Sequence, residues 1–185
     1  MRRCVLLGKR PAVRSRASFV AALCAAVFIA VVPGAGAAGG AAQSSVVGSG
    51  TGHFAETGGP FFLSVNGRGE GPLAQGMVRG SGVYVDAFEV EGPITCMRVE
   101  GNLASIKYRF KKASGPGAPP QNGGVQVYIE DNGKATGGQP VDRVATEPPQ
   151  PPGAFDAAAS VCTDPRLNPA WTPLESGDFS VFDAG

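Results

Sequence analysis

One short stretch restricts the fold more than any other. Across residues 103–111, Ala104, Ile106, Tyr108 and Phe110 alternate with Ser105, Lys107, Arg109 and Lys111. A period of two sends these sets to opposite faces of an extended chain, so the stretch reads as a half-buried strand with one apolar and one charged face. Val125, Val127 and Ile129 alternate in the same way with Gln126, Tyr128 and Glu130, and Thr95, Met97 and Val99 with Ile94, Cys96 and Arg98. Further strands are predicted over residues 51–56, 60–66, 73–79, 82–90, 141–146 and 178–183. Glycine and proline make up about a quarter of the chain after position 37, and no window of a dozen residues combines helical spacing with freedom from both. That composition excludes a long-helix protein and favours short elements joined by many turns.

The turn chemistry agrees. Asn66-Gly67, Asn122-Gly123 and Asn132-Gly133 each supply a dipeptide that tolerates positive φ, as tight hairpins require. Glu100-Gly101-Asn102-Leu103 separates two strong strands with almost no linker, so a hairpin is read there too. Eight or nine short strands joined by short turns imply an all-β domain. A small antiparallel up-and-down barrel of about eight strands hides its edges, and a two-sheet β-sandwich is the alternative. Residues 82–90 alternate poorly, with Val83, Val85 and Ala87 on one face and Tyr84, Phe88 and Val90 on the other. Either another segment covers the outer side, or Tyr84 and Phe88 form an exposed binding patch.

The first 37 residues are of a different kind. Arg2, Arg3, Lys9, Arg10, Arg14 and Arg16 form a basic arm with no acid among them. An apolar run from Ala17 to Val32 follows, then Pro33-Gly34 and the small-residue site Ala35-Gly36-Ala37. Together these are the parts of a secretory signal peptide. Cleavage after Ala37 leaves 10 basic and 15 acidic residues, an acidic chain of one domain. Residues 38–50 are small and nearly uncharged and are read as a flexible lead-in, with a single β domain over 51–185. The expected location is extracytoplasmic: secreted, or held in the cell envelope. No membrane association is expected once the leader is gone.

Cys96 and Cys162 are the two cysteines beyond the leader. In an oxidising compartment an even pair implies a disulfide, here one that pins an irregular late segment to the sheet. Residues 112–121 and 147–153 read as proline- and glycine-rich connectors. Residues 154–177 are expected to wrap across the sheet with one helical turn near 155–161.

Chemistry is hard to find. His53 is the single histidine, so a histidine-based triad or a metal site would depend on it. There is no G-x-S-x-G elbow, phosphate loop or dinucleotide fingerprint. Glu130-Asp131-Asn132-Gly133 lacks the ligand spacing of a calcium loop and reads as a turn. Asp86, Glu89, Glu91 and Glu100 offer carboxylates, but no spacing singles out a pair. Lys107, Arg109, Lys111 and Lys112 are the one basic cluster and read as a solvated outer face, which disfavours nucleic acid as a partner. Tyr128 and Trp171 are the aromatic rings available for stacking on a sugar.

The hairpin Ile94-Thr95-Cys96-Met97-Arg98-Val99-Glu100-Gly101-Asn102-Leu103-Ala104-Ser105-Ile106 resembles a family of small secreted bacterial proteins of unknown function. That family pairs a T-C-x-x-V-x-G-N-x-A-x-I hairpin with G-x-G-H, V-x-D-N-G and D-R elements, matched here by Gly50–His53, Ile129–Gly133 (with Glu130 before Asp131) and Asp142-Arg143. The similarity covers most of residues 50–146. It implies an extracytoplasmic β domain and brings no catalytic residues.

These readings converge on a monomeric binding or surface-associated domain, without catalytic residues, cofactor or metal. Its partner is expected to be extracellular, or a polymer of the cell envelope, and the candidate binding surface is Tyr84, Phe88, Tyr128 and Trp171. A polysaccharide- or wall-directed hydrolase is one alternative. An enzyme inhibitor acting through the loop at 112–121 is another.

Overall fold

A computed structural model describes residues 42–134, 141–167 and 170–185. The expected leader, with Cys4 and Cys24, lies outside the described residues. The chain forms an antiparallel sheet that curls on itself. Its strands are β1 (Ser45–His53), β2 (Pro60–Arg68), β3 (Gln75–Val83), β4 (Ala87–Glu100), β5 (Leu103–Arg109), β6 (Lys112–Ser114), β7 (Gly124–Glu130), β8 (Arg143–Thr146), β9 (Thr172–Pro173) and β10 (Ser176–Phe182). One short helix, α1 (Pro152–Ala158), precedes β9. The order across the sheet is β10-β1-β2-β3-β4-β5-β7-β8-β9, with β6 pairing to β4. This is the barrel-like meander that the alternating segments imply.

The strongest alternation is realised as read. Ala104, Ile106, Tyr108 and Phe110 are buried inside the curl, together with Val46, Val78, Met97, Ile129 and Phe179. Glu100 pairs with Leu103 across Gly101-Asn102, and Gly101 adopts φ 61°, a conformation that a side chain would strain. β4 is long enough to turn a corner. Its first half pairs with β3 and its second with β5, with a register shift between Ile94 and Cys96. At that corner Gly92 lies so close to the Arg109 carbonyl that no Cβ could fit.

The two edges of the sheet meet through the chain itself. β9 lies beside β8, and two residues later β10 lies beside β1. The link is held by the Leu174 amide donating to the Asp142 carbonyl and the Glu175 amide to the Thr51 carbonyl, both 2.9 Å. Beyond this link carboxylates take the place of a neighbouring strand. Asp142 Oδ2 accepts from the Phe179 amide (2.7 Å), and Asp131 Oδ2 from the Val181 amide (2.9 Å). Asp142 Oδ1 also accepts from the Asn132 amide (2.8 Å), and Asp183 accepts from the Gly101 amide (2.7 Å). Edge N–H groups that would otherwise go unpaired are thereby satisfied.

The late segment crosses the outside of β5 and β7, as the sequence suggests. Cys96 and Cys162 form the expected disulfide, with Cα atoms 5.4 Å apart. Phe155 of α1 is buried against Gly124, and the Arg109 guanidinium stacks on its ring at 5.2 Å.

Four expectations need correction. Residues 45–50 are not flexible: they pair with β2 on one side and β10 on the other. Their small side chains suit a strand hemmed in by Leu174 and Phe179. Asn66-Gly67 is not a turn but lies within β2, where the missing side chain of Gly67 leaves room for Ile94; the chain reverses later, through Gly69 and Gly71. Residues 82–90 are not one strand but a hairpin whose tip is Tyr84-Val85-Asp86, which explains the broken alternation. Finally, Lys107 and Arg109 are not a free solvated row. Lys107 Nζ donates to the Ala158 carbonyl (3.0 Å) and Arg109 pairs with Asp156 (2.5 Å) beneath α1, while Lys111 and Lys112 stay exposed.

A cavity at the open end of the barrel

The strand ends sort the connections into two groups. The turns after β2, β4 and β7 lie at one end, where Ile94, Met97, Val99, Ala104 and Phe179 fill the interior. At the other end, the connections after β1, β3, β5 and β8 surround a cavity of about 320 Å³. Its wall is the inner face of the sheet: Phe61, Leu63, Val90, Tyr108, Phe110, Val125, Val127 and Val144. Its rim is Phe54 and Glu56, Tyr84 and Phe88, Gly117 and Pro119, and Glu147, Pro148 and Pro149. The volume lies at the small end of the range for small-molecule sites.

The rim is aromatic and ordered by ring contacts. Phe54 lies 5.2 Å from Phe61, 5.4 Å edge-on to Tyr84 and 6.2 Å from Phe88 between ring centroids. Tyr84 is 48 % exposed at its hairpin tip, whereas Phe88 packs against the core. The proline-rich connectors contribute Pro119, Pro148 and Pro149 as stiff rim segments, and a bridge between Gly124 and Gln150 holds the second connector in place.

Tyr108 is one of the hydroxyl-bearing residues of the lining, with Ser81, Thr146 and Thr172. It is 3 % exposed, its ring meets Phe110 edge-on at 5.5 Å, and its hydroxyl points toward Gly80 of β3. The hydroxyl makes no hydrogen bond to the described residues, yet none of their fully buried side-chain oxygens or nitrogens lacks a partner, so it keeps access to solvent through the cavity. Burial alone holds its pKa well above the ordinary phenol range, so it is a neutral donor.

Among the described lining residues, the ionisable side chains besides tyrosines are Glu56 and Glu147, both acids. Glu147 is anchored by the Tyr128 hydroxyl, which donates to its Oε1 at 2.6 Å. Burial first, and then this bond, raise the Tyr128 pKa.

The four aromatic residues proposed from sequence therefore separate. Tyr84 and Phe88 come together at the cavity mouth. Tyr128 is not an exposed ring: it is 1 % exposed on the outer face of β7, under the late segment that the disulfide ties down. Trp171 is half-buried, with the Arg143 guanidinium over its ring at 5.4 Å, and does not line the cavity although Ala170 and Thr172 do. His53 is at the seam, its Nδ1 2.7 Å from Glu175 Oε1, with both side chains about half exposed. Among the described residues no group of three His, Cys, Asp or Glu side chains is placed to hold a metal ion, and no helix is long and apolar enough to cross a membrane. The sequence reading missed Phe54, Glu56, Tyr108 and Glu147 as cavity residues. One signal was available for Tyr108: it is inward-facing across from Gly80, and a large ring opposite a missing side chain leaves space.

Compared with family models, curated proteins and solved structures, the chain matches nothing.

Proposed function

We propose that this chain is an exported binding domain that takes one small, mainly apolar molecule into the open end of its barrel. The observation that carries the reading is a mainly apolar concavity walled by the inner face of the sheet, with the Tyr108 hydroxyl beside Gly80 on its lining. A ligand bearing one acceptor atom can take a hydrogen bond from that hydroxyl in place of water, for a net gain of about 1 kcal/mol. The aromatic rim supplies contact area, and the phenol fixes orientation. The signal-like leader and the disulfide support an extracytoplasmic site of action.

The test is saturable binding of the neutral fluorophore N-phenyl-1-naphthylamine, followed by its emission. Binding at one site per chain is expected. Gly80→Leu, which places a side chain in the cavity where a Cβ meets Val90 and Tyr108 at ordinary contact distance, should abolish it. Circular dichroism confirms that the variant is folded. Absence of saturable binding, or undiminished binding in folded Gly80→Leu, refutes the reading.

A second reading has one observation in its favour: Glu56 and Glu147 line the same concavity. Two carboxylates facing one substrate are the equipment of a glycoside hydrolase. Release of reducing ends from a polysaccharide, lost in Glu147→Gln, would support it over simple binding.

A further inference from the structure

The sign of the cavity is as informative as its shape. Among the described lining residues there is no lysine, arginine or histidine, and the ionisable groups at the mouth are Glu56 and Glu147. Of the basic side chains on the surrounding elements, Arg109 is paired with Asp156 and Asn122, Arg143 with Glu130 and Trp171, and Lys112 with Glu91, while Lys111 is exposed and is not among the lining residues. An anionic head group entering here meets two carboxylates and no cation, so fatty-acid-like ligands are disfavoured by charge. A cationic head group meets the reverse. The rings of Phe54, Tyr84 and Phe88 line the same opening, and aromatic rings beside carboxylates attract ammonium groups.

We infer that the ligand is an apolar amine, its hydrocarbon body in the cavity and its ammonium at the Glu56–Glu147 rim. This rests on the binding reading above and goes further by assigning the head group. Glu147 is the less exposed of the two, and the bond from Tyr128 holds one oxygen of its carboxylate while leaving the other free of described partners.

Three compounds with one skeleton decide the matter: 4-phenylbutylamine, 4-phenylbutanol and 4-phenylbutyric acid, each used to displace N-phenyl-1-naphthylamine from the oxidised full chain at low salt. The amine is expected to bind about tenfold more tightly than the acid, with the alcohol between them. Raising the salt should narrow that interval. Glu147→Gln keeps an acceptor for Tyr128 and should lower the ratio of amine to alcohol affinity about fivefold, and Glu56→Gln should lower it less, since Glu56 is more exposed. Equal affinities for amine and acid, tighter binding of the acid, or an unchanged ratio in both variants overturns the head-group assignment while the cavity remains a binding site. If none of the three compounds displaces the fluorophore, the assignment falls. If the fluorophore itself does not bind, the binding reading falls with it.

Discussion

Asp142 offers the sharpest test of how the barrel closes. Its carboxylate is buried and accepts two backbone N–H groups, from Asn132 at 2.8 Å and from Phe179 at 2.7 Å. Hydrogen bonds to a charged acceptor are worth about 1.5–3 kcal/mol each, and both donors are left in a poorly solvated seam if the acceptor is removed. Part of that is offset, because burial raises the pKa of Asp142 and Asp131 and Asp178 repel its charge, against the pull of the two amides. Asp142→Ala should therefore lose about 3–4 kcal/mol, near 10 °C in the thermal midpoint for a domain of this size. Asp142→Asn keeps one oxygen and sheds the buried charge, but turns an NH2 group toward one of the two donors; about 1–2 kcal/mol is expected. Urea unfolding followed by Trp171 fluorescence gives both values. Amide exchange locates the effect, with Phe179 and Asn132 losing protection in the alanine variant ahead of amides in β5. An alanine variant within about 1 kcal/mol of the parent, or an asparagine variant as unstable as the alanine one, refutes carboxylate closure of the seam.

Replacing both Cys96 and Cys162 by serine opens a loop of sequence separation 66 and should lower stability by about 4 kcal/mol, read as a matching loss when the parent is reduced. Gly124→Ala drives a methyl group into the Phe155 ring and should cost about 1–3 kcal/mol, with faster proteolysis between residues 147 and 170 as α1 lifts away. Tyr108→Phe removes a hydroxyl open to the cavity and should change the stability of the free protein by less than about 1 kcal/mol, while weakening any ligand that offers an acceptor; undiminished binding of such a ligand would show that the hydroxyl takes no part. For pH, the Arg143 guanidinium holds the Glu130 carboxyl below its ordinary range, so this pair stabilises the fold above that range and the contribution is lost as pH falls through the lowered folded value. Asp142 has the opposite sign, its charge penalty being relieved on acidification. Urea midpoints from about pH 7 to about pH 3 should thus fall less steeply in Arg143→Met and more steeply in Asp142→Asn than in the parent.

Much of the fold was legible because the information was local. Residues 103–111 and 125–130 alternate on their own, and Gly101-Asn102 sits between two such runs, so strand, face and hairpin follow without knowledge of the rest. The pairing of Cys96 with Cys162 needed only their number and setting. What failed was whatever depended on distant partners. Ser45–His53 looks featureless alone and becomes a strand because β2 and β10 both need a narrow neighbour. Lys107 and Arg109 look solvated because nothing within β5 reveals that α1 lies over them. Tyr128 looked available for stacking for the same reason. The cavity was illegible because it arises where residues of seven strands do not meet, and absence of contact leaves little trace in any one segment.

The short sequence patterns and the cavity divide the molecule between them. Gly50 and Gly52 make room for Leu174 and Phe61 on either side of the seam, and His53 bonds Glu175 in the crossing link. Asp131 and Asp142 hold β10, Asn132 donates both to Asp142 and to the Val141 carbonyl (3.0 Å), and Arg143 pairs with Glu130 across β7 and β8. Those residues, among them the one histidine and the Glu130–Gly133 turn weighed against a calcium loop, are accounted for by closing the sheet. The rim residues Phe54, Glu56, Tyr84, Phe88 and Glu147 take no part in that closure. Each lies in or beside a connection whose length and composition can vary without breaking a ladder bond of the barrel. Changes at Glu56, Tyr84 and Glu147 should therefore alter what is bound at little cost in stability, whereas Phe54 and Phe88 also pack against the core, and changes at the seam should alter stability before they alter selectivity. A rim substitution such as Glu56→Gln that lowered the unfolding midpoint as much as Asp142→Ala would contradict that division.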